Sequence, residues 1–154
     1  MRRAFLLLLL GAVCAVAAPA SKPTGRVVKV LPHLLDLQGR HTVSPSLFDR
    51  DAYQAQLRKH PERCSGIRYD VFWQARGLKD QPLTLRVELR GLFEGKVPRA
   101  QTLELSVKAP SANRRWSGLN LGGEDFKRFG EVTAWRATLW SGEQLLDEQK
   151  SFLW

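Results

Sequence analysis

From Ser65 onward the chain alternates apolar and polar residues with a period of two, and this pattern limits the possible folds more than any other feature. Ile67, Tyr69, Val71 and Trp73 alternate with Arg68, Asp70 and Gln74. Leu83, Leu85, Val87 and Leu89 alternate with Thr84, Arg86, Glu88 and Arg90, and Leu103, Leu105 and Val107 with Thr102, Glu104, Ser106 and Lys108. Successive side chains of a strand point to opposite faces, so each segment reads as a strand with one buried and one solvated side. Strands of this kind belong to antiparallel sheets. Gly77 to Pro82 and Phe93 to Pro98 supply the turn residues between them.

The flanking segments extend the pattern. Arg26 to Leu37 carries enough Val and Leu for a strand, interrupted by Pro32 or passing into irregular structure there, and the proline argues for a sheet edge. Ser46 and Asp49 stand at capping-box spacing before a helix expected over residues 46–59, with Arg58, Lys59 and His60 in its last turn and Pro61 closing it. Phe48, Ala52, Tyr53 and Leu57 give that helix a narrow apolar stripe, suited to lying on a β-core. Trp116 to Leu121 reads as a short strand and Gly122 to Gly130 as a helical turn closed by glycine. Glu131 to Trp140 and Gln144 to Trp154 read as a hairpin about Ser141-Gly142-Glu143. About seven strands, with one short helix before the second, make a mainly β, two-sheet antiparallel sandwich of immunoglobulin-like type.

Residues 1–20 read as an export signal. Arg2 and Arg3 form a basic start, Ala4 to Val16 an apolar run, and Ala15, Ala17, Ala18 and Ala20 offer small-residue cleavage sites, with cuts after Ala17 or Ala20 favoured. The run is shorter than the ~20 residues a spanning helix needs, so the expectation is a cleaved signal and no transmembrane helix in the mature chain. Val13 before Cys14 argues against lipidation of that cysteine. Residues 21–25 form a flexible lead-in, and residues 26–154 a single domain. A periplasmic or secreted location follows.

Loss of Cys14 with the signal leaves Cys64 alone, so no internal disulfide is possible and the fold must rest on apolar burial. Two of the 24 Lys and Arg residues leave with the signal, so 22 face 15 acidic residues, a net charge of +7. This balance favours anionic partners. The charges are interleaved rather than blocked, which reads as a mixed solvated surface and makes nucleic acid an unfavoured partner.

The stretch Trp116 to Trp154 runs strand, glycine-bounded turn with Glu124-Asp125-Phe126, aromatic strand and hairpin return. It resembles the last strands of an immunoglobulin-like or fibronectin-type-III-like sandwich, with Trp135 as an early core aromatic of the penultimate strand. The segments KVLPHLLDLQGRHTVSPSLFDRDAYQAQLR and AWRATLW…EQKSFLW also resemble those of small exported bacterial proteins to which no activity attaches. The resemblance implies the architecture and no activity. The chain lacks the paired core cysteines of antibody domains, so neither their disulfide nor immune recognition carries over.

Candidate chemistry is sparse. There is no G-x-S-x-G elbow and no Gly-rich phosphate loop, so no catalytic or cofactor-binding residue is assigned. His33, His41, His60 and Cys64 lack the close-paired spacing of a metal site, and none is assigned. His60 and Cys64 offer a base and a thiol, and Glu124 with Asp125 or Asp147 with Glu148 offer carboxylate pairs, which leaves a small secreted hydrolase as an alternative. Of the five tryptophans, Trp73 and Trp135 fall on apolar strand faces, whereas Trp140 and Trp154 lie beside a turn and at the terminus. Arg114, Arg115 and Trp116 combine guanidinium and indole as an anion contact. Together Arg114, Arg115, Trp116, Trp140 and Trp154 make the candidate ligand face. The leading expectation is a non-enzymatic binding or interaction module meeting an envelope protein or an anionic polysaccharide, with a subunit of an envelope assembly as a further alternative.

Overall fold

The computed structural model describes residues 24–78, 81–109 and 114–154. The export segment and residues 21–23 of the expected lead-in lie outside the described residues. Two antiparallel sheets face each other. The first contains β1 (Thr24–Asp36), β2 (Cys64–Arg76) and β5 (Arg114–Gly122), in the order β1-β2-β5. The second contains β3 (Pro82–Phe93), β4 (Val97–Lys108), β6 (Glu131–Ser141) and β7 (Gln144–Lys150), in the order β4-β3-β6-β7. Helix α1 (Leu47–Lys59) joins β1 to β2, and α2 (Gly123–Phe129) joins β5 to β6. In the constant-type immunoglobulin division the fourth strand joins the sheet of the first, second and fifth. Here β4 is bonded to β3, which gives three strands against four.

The period-two pattern places the core. Tyr69, Val71 and Trp73 from β2 meet Leu83, Leu85, Val87 and Leu89 from β3, all essentially without solvent contact, with Ala137 and Leu139 of β6 completing the layer. The Trp73 indole N–H is satisfied by donating to the Ser117 hydroxyl at 3.0 Å. The alternation in β4 has a different outcome. Leu103 and Val107 are only half-buried and Leu105 is exposed, because β4 is an edge strand that extends past the cover of the opposite sheet.

Pro32 does not interrupt β1. The strand runs unbroken from Thr24, two residues before the expected start, with an irregularity at Val28. The Leu34 N–H and C=O, on the side away from β2, are both taken by the Gln54 side chain. Pro32 shares their parity, so its missing N–H falls on that same outer edge, where no ladder bond is lost. Elsewhere on this edge the Val27 N–H donates to the Asp147 carboxylate of β7 at 2.8 Å, which ties the two sheets together.

Helix α1 forms where its capping residues put it. The Ser46 hydroxyl accepts from the Asp49 N–H, with Asp49 in the first turn and Arg58 and Lys59 in the last. It buries only part of its expected apolar stripe. Phe48 and Ala52 are exposed and Tyr53 half-buried, whereas Gln54 and Leu57 are buried. The helix docks on the edge of a strand, where open peptide groups need polar partners, and so it presents an amide. Helix α2 ends at Gly130, whose φ of 82° lies in the left-handed region that favours glycine. No described helix is long and apolar enough to cross a membrane.

Candidate functional site: the outer face of the three-stranded sheet

The residues of β2 that point away from the core define this face, and the ladders to β1 and β5 fix what stands beside them. Arg26, Gln74 and Arg114 form one row across the three strands, and Lys29, Phe72 and Trp116 form the next. Arg76 lies opposite Thr24 one row further out. Phe72 and Trp116 stack with centroids 4.9 Å apart and planes at 25°, leaving the indole 47% exposed. Strands about 5 Å apart bring neighbouring side chains of a row into contact, which accounts for the stack. Arg26, Lys29, Arg76 and Arg114 are all exposed, and among the described residues none of them forms an ion pair. A depression of about 330 Å³ lined by Thr24, Gly25, Arg26, Gln74, Arg76 and Asp147 adjoins these rows.

Charge is segregated along the face. Further down the strands the Arg68 Nε donates to the Asp70 carboxylate at 2.7 Å, and the other oxygen of Asp70 lies 3.1 Å from His33 Nδ1. Burial raises the Asp70 pKa, but these contacts outweigh it and hold the carboxyl below its usual range. Arg68 lies over Gly118, where a Cβ would come within 2.8 Å of its Nε, so the glycine makes room for the guanidinium. His33 stacks at 5.0 Å on His41, from the loop that crosses this part of the face. Burial, then the neighbouring His33, lowers the His41 pKa. The Arg68 charge is thereby met internally, whereas the cations around Trp116 are left to solvent.

The five residues of the candidate face fall on two different sheets. Arg114 and Trp116 lie together on the outer side of β5, whereas Arg115 between them is paired with the core residue Trp73 and projects to the opposite side of the strand. Trp140, by contrast, is on the outer face of the four-stranded sheet, half-buried, with the Arg86 guanidinium 5.2 Å from its ring centre and its indole N–H on Thr138. Trp154 lies under Arg90 at 4.0 Å. These two rings are therefore occupied by arginines of their own sheet. Phe72, Lys29, Arg26 and Arg76 belong to the face and were missed from sequence. The available signal was Phe72, an apolar residue at a polar position of an otherwise regular alternation.

The hydrolase arrangements do not assemble. The Cys64 thiol donates weakly to the carbonyls of Leu57 and His60, at 3.5 and 3.9 Å, while the His60 ring turns to Glu62 at 3.0 Å. Burial raises the thiol pKa, which disfavours the nucleophilic thiolate. Glu124 and Asp125 are engaged by Lys127 and Arg128 along α2, Asp147 by the Val27 N–H, and Glu148 by Arg136. Among the described residues no three His, Cys, Asp or Glu side chains gather where they could hold a metal ion.

No protein-family model matches the chain, and no curated protein matches it in sequence. Among solved structures, it is similar to a crystal structure of a protein from Akkermansia muciniphila. The TM-score is 0.53 at 8% sequence identity, over 91% of this chain and 75% of that one. At that identity the likeness concerns the fold alone, and on it the chain is an antiparallel β-sandwich of immunoglobulin-like architecture.

Proposed function

We propose that this chain is an exported, non-enzymatic binding module that takes an anionic polysaccharide on the outer face of its three-stranded sheet. One observation carries the reading: an exposed Trp116 ring, stacked on half-buried Phe72, set among cations that have no carboxylate partner among the described residues. An indole offers an apolar platform for the flat side of a sugar ring, while guanidinium groups pair with carboxylate or sulfate substituents in a bidentate manner. The cations also draw a polyanion in over long range, in a salt-dependent way. The expected export signal favours a polysaccharide over nucleic acid.

Titration calorimetry with polygalacturonate, neutral dextran and single-stranded DNA tests this. Saturable binding of polygalacturonate that weakens with salt is expected, with no binding of dextran. Trp116→Ala and Arg114→Ala should each weaken it about fivefold to tenfold, corresponding to roughly 1–1.5 kcal/mol per contact. Absence of saturable polygalacturonate binding, binding unchanged in both variants, or tighter binding of DNA would overturn the proposal.

A further inference from the structure

Strand β7 is shorter than β6, and this opens a second place for a ligand. The ladder between them covers only Arg136 to Ser141 of β6, and Ser151 holds Trp135, so Glu131 to Ala134 have no strand beyond them. A cavity of about 780 Å³ lies there, bounded by the lower parts of β1 and β2, by β6 and by both helices. Its wall is largely apolar, with Leu34, Leu57, Pro61, Ile67, Phe126 and Val132 facing it. Its volume is that of a small-molecule site. Cys64 forms part of the wall, and its thiol is hydrogen-bonded to backbone carbonyls. The charged groups of the lining are Arg58 from α1, Lys127 from α2 and Glu131 from β6, two cations against one carboxylate. Arg58 forms no ion pair among the described residues, and the ammonium of Lys127 is shared with Glu124 at the exposed surface of α2.

We propose that this cavity binds the hydrocarbon chain of a single-chain anionic amphiphile, its head group held at the mouth between Arg58 and Lys127. A flexible alkyl chain matches a wall of aliphatic and aromatic side chains, and the excess of cations selects the sign of the head group. Glu131 is the one carboxylate of the lining, and Glu124 meets part of the Lys127 charge outside it, so Arg58 carries the selection. The inference goes beyond the polyanion reading and does not rest on it, because this cavity and the Trp116 face share no residue.

Calorimetry with alkanoates of ten, twelve and fourteen carbons, all below their micellar concentrations, tests the proposal against dodecyltrimethylammonium of matched chain length. Saturable binding of one alkanoate per chain is expected, tightening about fourfold per added methylene until the cavity is full. The trimethylammonium compound should bind at least fivefold more weakly, and Arg58→Glu should remove that preference. In the unaltered chain, dodecanoate should slow alkylation of Cys64, read by peptide mass mapping. Val132→Trp, which fills the cavity from its rim, should abolish alkanoate binding, and Trp116→Ala should leave it intact. No saturable binding below the micellar concentration, no protection of Cys64, or equal affinity for the cationic amphiphile would each overturn it.

Discussion

Asp36 shows how a single buried carboxylate organises its surroundings. One oxygen accepts from the Gln38 and Arg40 backbone N–H groups, and the other from the Arg40 Nε and the Tyr53 hydroxyl. Burial alone would raise its pKa, but these four donors outweigh burial and pull it down to about 2. A carboxyl whose folded-state pKa is depressed contributes stability that is present above its unfolded value near 4 and lost as pH falls through 2. The chain should therefore lose stability between about pH 4 and pH 2, and Asp36→Asn should flatten that part of the profile. An asparagine offers one acceptor oxygen where four donors converge, so the same variant should cost about 2 kcal/mol at neutral pH. Urea titrations across pH check both. A steep acid limb retained in the Asn variant would show that Asp36 is not its source.

At the scale of the element, α1 covers an edge as much as it fills a core. The Gln54 amide donates to the Leu34 and His41 carbonyls and accepts from the Leu34 N–H, so it does for β1 what a neighbouring strand would do. Gln54→Ala should cost about 2–3 kcal/mol in urea unfolding, since three backbone groups lose partners in a half-buried place. Gln54→Leu should recover little of it, and full recovery would mean that packing rather than hydrogen bonding holds the helix down. The position of α1 was legible in sequence through Ser46 and Asp49, because a cap is a local interaction. Burial of Leu57 was legible too, but that of Gln54 was not, since an edge of open peptide groups calls for an amide that no hydropathy pattern marks. The same reasoning separates β2 and β3 from β4. Alternation reports which side of a strand is apolar, and β4 has such a side. Whether the opposite sheet reaches far enough to cover it is decided by strand order, which the alternation does not contain. The candidate face divided for a related reason: Arg114 and Trp116, two apart on one strand, share a face, Arg115 between them falls on the other, and Trp140 and Trp154 were grouped with them by residue type alone.

For the whole molecule, the sandwich is fastened along one side and open along the other. Asp147 bridges to β1 on one side, while β4 and β5 end their sheets on the other. Amide hydrogen exchange should follow this asymmetry, with β2, β3 and the middle of β6 slowest and β4 exchanging well before them, because solvent reaches both of its faces. Equal protection of β3 and β4 would mean that the four-stranded sheet opens only as a unit. The cationic face and the cavity lie toward opposite ends of the sandwich, with the buried contacts of β2 and β3 between them. The arrangement also has an optical consequence. Trp73 is sealed in the core, Trp135 is half-buried against it, and Trp140 and Trp154 lie against arginines, which leaves Trp116 as the indole most open to collision. An anionic quencher such as iodide is drawn toward the cations around that ring, so the red edge of the emission spectrum reports on the face itself, and the molecule carries its own gauge of whether that surface is occupied.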